Sequence, residues 1–362
     1  MKVFIDLHHE ELHESLRILF EDRLGYEVYS PIGLEWWQEG YWSVYNHPST
    51  AEQYLGYGTT SSFRLLKPGE RLGGDALRSD SGEMLRYAHW NPVELEPGTY
   101  QVVCPVYPEQ PYRAATLDYF RNTKFDILVA SIPEHIEPFK KLIKLYQPQA
   151  KLIFQVGNNW PFIYDVQNVL AAATQFPIPD SVNKVYFHPE FDTKLFSPSP
   201  PIYPRRITNM MHYVQEPQTF EQLKIHMPGW EFRSYGAGNA DGSRGPPISD
   251  IAQAFKEMAF LWHVKKEGDG YGYNIMHAIA CGRPLIVRQK YFHGMTASKF
   301  LVDGETCFDI DKGRGPGLTV QALEYFVDNY EWISQRVYDR FRSLVNFDVE
   351  EQSIQEFISR LR

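Results

Sequence analysis

The sequence predicts an α/β protein of two Rossmann-like domains with a ligand cleft between them. Three observations predict it. Strand–helix–strand patterns run through both halves of the chain. A proline-rich segment, Ser197-Pro198-Ser199-Pro200-Pro201 followed by Pro204, separates the halves, and such a segment can be neither helix nor central strand. The length, 362 residues, is too great for one ordinary core and comfortable for two.

The first half opens on a β-rich run, Met1 to Leu7. A helical apolar spacing follows over Leu12, Leu16, Ile18, Leu19 and Phe20, and Tyr26 to Tyr29 reads as the next strand. Residues 35–100 are rich in Trp, Tyr, Gly and Ser with weak periodicity, so they read as a long irregular insertion. Asp126 to Ser131 is a buried strand. A helix opens at Pro133, with Ile136, Phe139, Leu142, Ile143 and Tyr146 on one face, and ends at Pro148. Lys151 to Val156 is a strand, Val166 to Ala173 a short helix, and Asn183 to Phe187 a further strand.

The junction falls near residues 188–204. Beyond it, strands are expected at Ile207–Val214, Trp230–Tyr235, Ala259–Val264 and Pro284–Val287. Helices are expected at Thr219–Ile225, Ile248–Met258 and Asn274–Cys281, and the tail from Val320 to Arg362 is helical and amphipathic. In open α/β sheets the carboxyl ends of the strands face the ligand. A dehydrogenase would suit this architecture, but the glycine fingerprint is missing. His8-His9-Glu10-Glu11 follows the first strand, and Gly236-Ala237-Gly238 is followed by Asn239, Ala240 and Asp241.

Composition narrows the partners. The formal charge of −9 disfavours a polyanion such as nucleic acid as the main partner. No apolar run approaches the roughly 18 residues needed to span a bilayer, so no integral membrane segment is expected. The N-terminus MKVFIDLHHEEL turns acidic at once and lacks the shape of a signal peptide. Cys104, Cys281 and Cys307 are odd in number and far apart, and they read as reduced thiols of a cytoplasmic protein. Aromatic content is high at 15%. This suits carbohydrate and nucleotide sites as well as ordinary cores.

One segment carries chemistry: Asp269-Gly270-Tyr271-Gly272-Tyr273-Asn274 through Cys281-Gly282-Arg283-Pro284. Gly270 and Gly272 let backbone approach a ligand closely. Asn274 reads as the N-cap of the helix that follows. That helix end presents free N–H groups and a positive dipole, which suit a diphosphate. Gly282 reads as the left-handed terminator.

This segment resembles the signature of glycosyltransferase family 4 and its GT-B relatives, in which an acid-Gly-aromatic-Gly loop leads into a helix ending Ala-Cys-Gly-x-Pro. Three further stretches fall in the family's order: Phe187 to Pro198, Trp230 to Gly238, and Phe300 to Phe308. The similarity covers about residues 184–330. It implies a GT-B fold with an acceptor-side domain over 1–187, a nucleotide-sugar-binding domain over 188–340, and a C-terminal helix over 341–362 returning to the first domain. It also implies transfer of a sugar from a nucleoside-diphosphate sugar, with retention of configuration and no cofactor or essential metal. Asp309-Ile310-Asp311 lies after the pocket and reads as a strand-end turn, not a metal signature.

Two family glutamates separated by seven residues fall on Asp269, a shorter carboxylate, and His277, a departure. In the family the first holds the transferred sugar's hydroxyls and the second the ribose. Histidine can still bond a ribose hydroxyl, with different geometry and charge, and Glu267 lies near enough to compensate. The implied donor set is Gly236, Gly238, Arg244, Lys266, Gly270, Tyr271, Gly272, Tyr273, Asn274 and His277, with Asp269 catalytic.

The family's arginine and lysine after the first strand of the second domain, which neutralise the leaving diphosphate, have no counterpart in Asn209 to Val214. Arg205, Arg206, Arg233, Arg244 and Lys266 are the candidate substitutes, with Arg244 and Lys266 preferred. In the first domain, His8 and His9 follow strand one at the cleft and are candidate catalytic groups. Asn158, Asn159 and Trp160 at a comparable strand end are candidate acceptor contacts. Glu134 and His135 read as cappers of the adjacent helix, and His188 as a linker residue. Trp36, Trp37, Tyr41 and Trp42 could stack on a sugar or form a satellite cluster. Two alternatives stay open: a nucleotide- or sugar-binding protein without transferase activity, and a glycosyltransferase acting on a nucleic-acid base.

Overall fold

The computed structural model describes residues 1–6, 9–32, 36, 93–104, 106–157, 162–173, 177–236, 238–242, 247–312 and 316–362. The first sheet is built from β1 (Lys2–Ile5), β2 (Glu27–Pro31), β3 (Val93–Glu96), β4 (Thr99–Val103), β5 (Pro111–Ala115), β6 (Ile127–Ala130), β7 (Lys151–Val156), β8 (Asn168–Ala171) and β9 (Asn183–Tyr186). Their order is β3-β4-β5-β2-β1-β6-β7-β8-β9. The strands from β2 to β9 across the sheet run parallel. The second sheet holds β10 (Arg206–Asn209), β11 (Glu231–Ser234), β12 (Phe260–Trp262), β13 (Leu285–Val287) and β14 (Cys307–Asp309). It is parallel throughout, in the order β11-β10-β12-β13-β14.

Each lobe therefore starts in mid-sheet, steps to one side (β2, β11) and returns past its start (β6, β12). That reversal opens a crevice at the carboxyl ends of β1 and β6 in the first lobe, and of β10 and β12 in the second.

The helices are α1 (Glu10–Arg17), running on into a π-helical turn (Ile18–Arg23), α2 (Leu117–Asn122), α3 (Ile136–Tyr146), α4 (Pro217–His226), α5 (Ile248–Glu257), α6 (Tyr273–Ala280), α7 (Pro316–Asp328), α8 (Tyr330–Leu344) and α9 (Phe347–Ser359). Among the described residues no helix is long and apolar enough to cross a membrane.

Two stretches differ from the sequence reading. Residues 166–173, expected as helix, contain β8. All four of its residues are buried between β7 and β9, and a short apolar run covered on both faces has no periodicity to tell strand from helix. The antiparallel strands β3 to β5 extend the first sheet where the sequence showed only weak patterning. β3 is exposed along its length and carries Glu94 and Glu96 at the sheet edge, where charge discourages pairing with another chain.

The first-lobe core packs Phe4, Phe120, Phe125 and Phe139 with Trp36. Trp36 stacks on Phe4 at 4.8 Å and donates its indole N–H to the Ala115 carbonyl at 3.0 Å. Its aromatic face is thus spent on the core and not offered to a sugar. Trp37, Tyr41 and Trp42 lie outside the described residues. The chain breaks at Val345–Asn346 and α9 crosses to the first lobe. Asn346 caps it by accepting from Val349 N–H at 3.2 Å. Asn183 donates to the Phe357 and Arg360 carbonyls, both at 3.3 Å, and Arg362 N–H donates to Asn168 Oδ1 at 3.0 Å.

Candidate functional site

The site begins at the amino end of α6. Gly272 is its N-cap, with φ +79°, and no side chain caps the helix. Among the described residues no side-chain hydrogen bond reaches the first-turn N–H groups, so they carry the positive end of the helix dipole, with the Asp269 carboxylate packed against Gly272. Asn274, expected as the cap, lies two residues past it and donates to the Met210 carbonyl at 3.4 Å, tying α6 to the loop after β10. At the other end Gly282 takes φ +70°, as a left-handed terminator does, and a side chain there would strike Ser334 of α8. Arg283, fully buried, donates to the Phe255 and Ser199 carbonyls at 2.7 and 2.6 Å. It anchors the interlobe linker.

Asp269 is braced from two sides. His263, at the carboxyl end of β12, meets Oδ2 through Nε2 at 2.5 Å, and Lys265 Nζ contacts Oδ1. Burial pushes the Asp269 carboxyl up, but His263 and Lys265 together outweigh it and hold the group below its ordinary range. His263 and Lys265 were not singled out from the sequence. Their only signal there is position, between the strand and the Gly-x-Gly loop.

The side chains of Tyr271, Tyr273 and His277 turn away from the α6 entrance. The Tyr271 hydroxyl donates to the linker carbonyl of Pro189 at 2.9 Å, and that of Tyr273 lies 3.1 Å from Ser15 Oγ in α1. His277 is 1% exposed, stacked on Phe196 with its edge on Phe191. Burial drives its pKa down to about 3, so it is a neutral core ring. The reading of His277 as a ribose ligand is therefore corrected: its position on α6 faces the linker phenylalanines, not the cleft.

The loops after β10 and β11 are knitted together. A side chain on Gly236 would strike the Met211 carbonyl, and Gly238 N–H donates to the His212 carbonyl at 2.9 Å. Asn239 donates to the Met211 and Tyr235 carbonyls, both at 2.8 Å, and accepts from Val214 N–H. Loop-to-loop packing thus accounts for both glycines.

Of the candidate cations, Arg206 stands at the amino end of β10 and pairs with Glu231 and Glu257. Arg205 pairs with Glu324, and Arg233 with Glu231 and Asp241. All three are committed elsewhere. Lys266 has its backbone N–H on Gln215 at 2.8 Å and its side chain in solvent. Arg288, which follows β13 and was missed in the sequence, is locked by Glu216 and Asp311. Glu216 itself has φ +54°, and Tyr291 also donates to it. Arg244, His8, Asn158, Asn159 and Trp160 lie outside the described residues.

In the first lobe Asp6 follows β1 and Ser131 follows β6. Asp6 accepts from Ser131 N–H at 2.6 Å, from the Ser131 hydroxyl, and from His135 Nδ1 at 2.8 Å, all buried. His135 thus ties the loop after β6 to Asp6 after β1; it stands at the N-cap position of α3, where its side chain makes no capping hydrogen bond. His9 lies parallel to the Tyr273 ring at 6.0 Å. Glu11, the second residue of α1, has its carboxyl pushed up by burial, partly countered by His9 and reinforced by Glu10. A carboxyl of that kind at the lobe junction is a group sequence reading had passed over.

Two Rossmann-like lobes with strand ends opposed, a linker between them and a terminal helix crossing back define the GT-B fold of glycosyltransferases. No protein-family model matches the chain, and no curated protein sequence matches it. Solved structures do. Anabaena Alr3699/HepE in complex with UDP and glucose superposes with a TM-score of 0.53 over 100% of both chains at 11% identity. A glycosyltransferase from Rickettsia africae superposes at 0.51 over 98% of this chain and 97% of that one, at 9% identity. At such identities the likeness establishes the fold.

Proposed function

We propose that the chain transfers a sugar from a nucleoside-diphosphate sugar to an acceptor hydroxyl. The observation that carries this reading is the amino end of α6: left-handed Gly272, no capping side chain, and Asp269 braced beside it at the carboxyl edge of the second sheet. The full-length likeness to Alr3699/HepE, solved with UDP-glucose as well as with UDP, supports a donor of that class. In the reaction the bond from the anomeric carbon to the diphosphate oxygen breaks and the acceptor oxygen bonds to that carbon. The acceptor's proton leaves with the diphosphate. The α6 N–H groups and Lys266 stabilise the charge on the leaving group. Holding donor and acceptor between the lobes supplies the orientation. Retention of configuration and independence of metal are proposed from the family resemblance, and the cytoplasm is the proposed compartment.

A second reading is a nucleotide- or sugar-binding protein without turnover. It is favoured by the neutralisation of the nearby cations: Arg288 by Glu216 and Asp311, Lys265 by Asp269.

A panel of nucleotide sugars, scored for thermal stabilisation and for hydrolysis, separates the two. Stabilisation with turnover, the turnover lost in Asp269→Ala, is the expected result. Stabilisation without turnover across many acceptors selects the binding protein, and unchanged binding and turnover in Asp269→Ala removes the pocket from this place.

A further inference from the structure

Tyr271 and Tyr273 belong to the loop that opens α6, yet both hydroxyls leave that loop. Ser15 Oγ lies 2.6 Å from the Glu190 carbonyl and 2.9 Å from the Glu11 carbonyl. A serine hydroxyl has one proton, and both carbonyls can only accept. That proton is therefore committed to a carbonyl, the Glu190 contact being the shorter. Tyr273 must then donate to Ser15, which gives one direction to the chain Tyr273–Ser15–Glu190. Burial pushes the Tyr273 phenol well up, which keeps it a donor. In parallel, Tyr271 donates to the neighbouring Pro189 carbonyl.

Residues 188–190 of the linker are gripped from other sides too. Arg23, from the π-helical turn after α1, holds Glu190 with two nitrogens and reaches Asp348 and Glu351 of α9 at 2.9 and 3.0 Å. Glu350 of α9 accepts from His188 N–H at 2.6 Å and pairs with its ring at 2.7 Å. The donor loop, the first helix of the opposite lobe and the returning C-terminal helix thus meet on three consecutive linker residues.

We propose that Tyr273 and Tyr271 are positioning residues: through Ser15 and the Pro189 and Glu190 carbonyls they fix the amino end of α6 in register with α1 across the cleft. They set where a bound donor faces the acceptor lobe, and they do not contact the donor. This rests on the transferase reading above for its catalytic consequence, but not for the register itself.

The test uses the full chain and the variants Tyr273→Phe, which keeps the ring beside His9 and removes only the hydroxyl, and Ser15→Ala, which leaves the donor loop untouched. The three native cysteines are buried, so spin labels can be placed through Leu145→Cys in the first lobe and Ile225→Cys in the second, both exposed positions. Expected in both variants is a broader interlobe distance distribution, UDP affinity within roughly threefold of the parent, and a transfer kcat about tenfold lower with little change in donor KM. Unchanged distances overturn the proposal, as does a loss of UDP affinity of about tenfold or more in Tyr273→Phe. If the parent protein bound no UDP or other nucleotide, the transferase reading would fall while the distance measurement still decided this one.

Discussion

The rings of His277 and Phe196 lie 3.8 Å apart with their planes 9° from parallel. The pair joins α6 to the interlobe linker, and it makes residue 277 a packing position. Introducing an acid there, His277→Glu, should bury a carboxylate among Phe191, Phe196 and Phe255 without a counter-charge. The expected loss is about 3 to 5 kcal/mol. His277→Phe keeps volume and apolarity and should cost about 1.5 kcal/mol or less. Urea unfolding of the two variants checks the order. A tolerated glutamate would show that the site opens to solvent and would reinstate it as a ligand.

Two histidines give the fold an acid limb. Burial drives both His13 and His277 down to about 3; for His13, Arg17 adds to the lowering and Asp6 opposes it. Each is neutral when folded and takes up a proton when unfolded below its ordinary value of about 6.5. Their folded-state pKa values lie below the unfolded one, so their full contribution is present above that unfolded value. Stability then falls with pH down to about 3, by about 1.4 kcal/mol per pH unit for each group. His277→Phe should flatten this limb between pH 6 and 4 by about half. A slope equal to the parent's would mean that His277 titrates normally.

Much of the fold was legible because its signals are local. Ile127 to Ala130 is a pure apolar run, α3 has one clean face, and Pro198 to Pro204 forbids regular structure. The strand β8 was not legible, because burial on both faces erases the period that separates strand from helix. In the site, the glycines around α6 announced themselves by residue type. His263, Lys265 and Arg288 did not, because what matters about them is which strand end they follow and which carboxylate they meet. His277 misled for the same reason: a motif fixes the helix position, while the partner helix and the linker decide which way that position faces. The Asp6–Ser131–His135 clamp joins residues more than 120 positions apart and has no local signal.

Gly272 and Gly282 bound α6 and both have positive φ, but they should fail differently on substitution. Alanine in the left-handed region costs about 1 to 2 kcal/mol at either position. At Gly282 the added carbon also strikes Ser334, both its hydroxyl and its backbone oxygen, so Gly282→Ala should be the more destabilising and Ser334→Ala should rescue it only in part. At Gly272 the added carbon meets Asp269 and Ile275 at 3.1 Å, displacing the candidate anion site itself. Gly272→Ala should therefore weaken UDP binding out of proportion to its loss of stability. Calorimetric titration and thermal unfolding separate the effects. Equal losses of UDP affinity at both glycines would argue against an anion at the helix entrance.

Asp269 and Lys265 should show opposite effects on stability and on anion binding. The Asp269 carboxyl is held below its ordinary range, so its contribution to stability is present above the unfolded value near 3.9 and is lost as pH falls through the folded one. Asp269→Asn should lower the unfolding free energy, chiefly through His263, which is buried. The Lys265 share is about 0.5 kcal/mol, because its ammonium is partly open to water. Yet the same change removes a negative charge and releases a lysine two residues after His263, at the edge of the anion site. Inorganic pyrophosphate should therefore bind Asp269→Asn more tightly than the parent. The gain should vanish in the double variant with Lys265→Met. A carboxylate serving only to brace the loop would lower stability and leave pyrophosphate affinity unchanged or weaker. Because the two measurements are expected to move in opposite directions, a general loosening of the pocket cannot imitate the result.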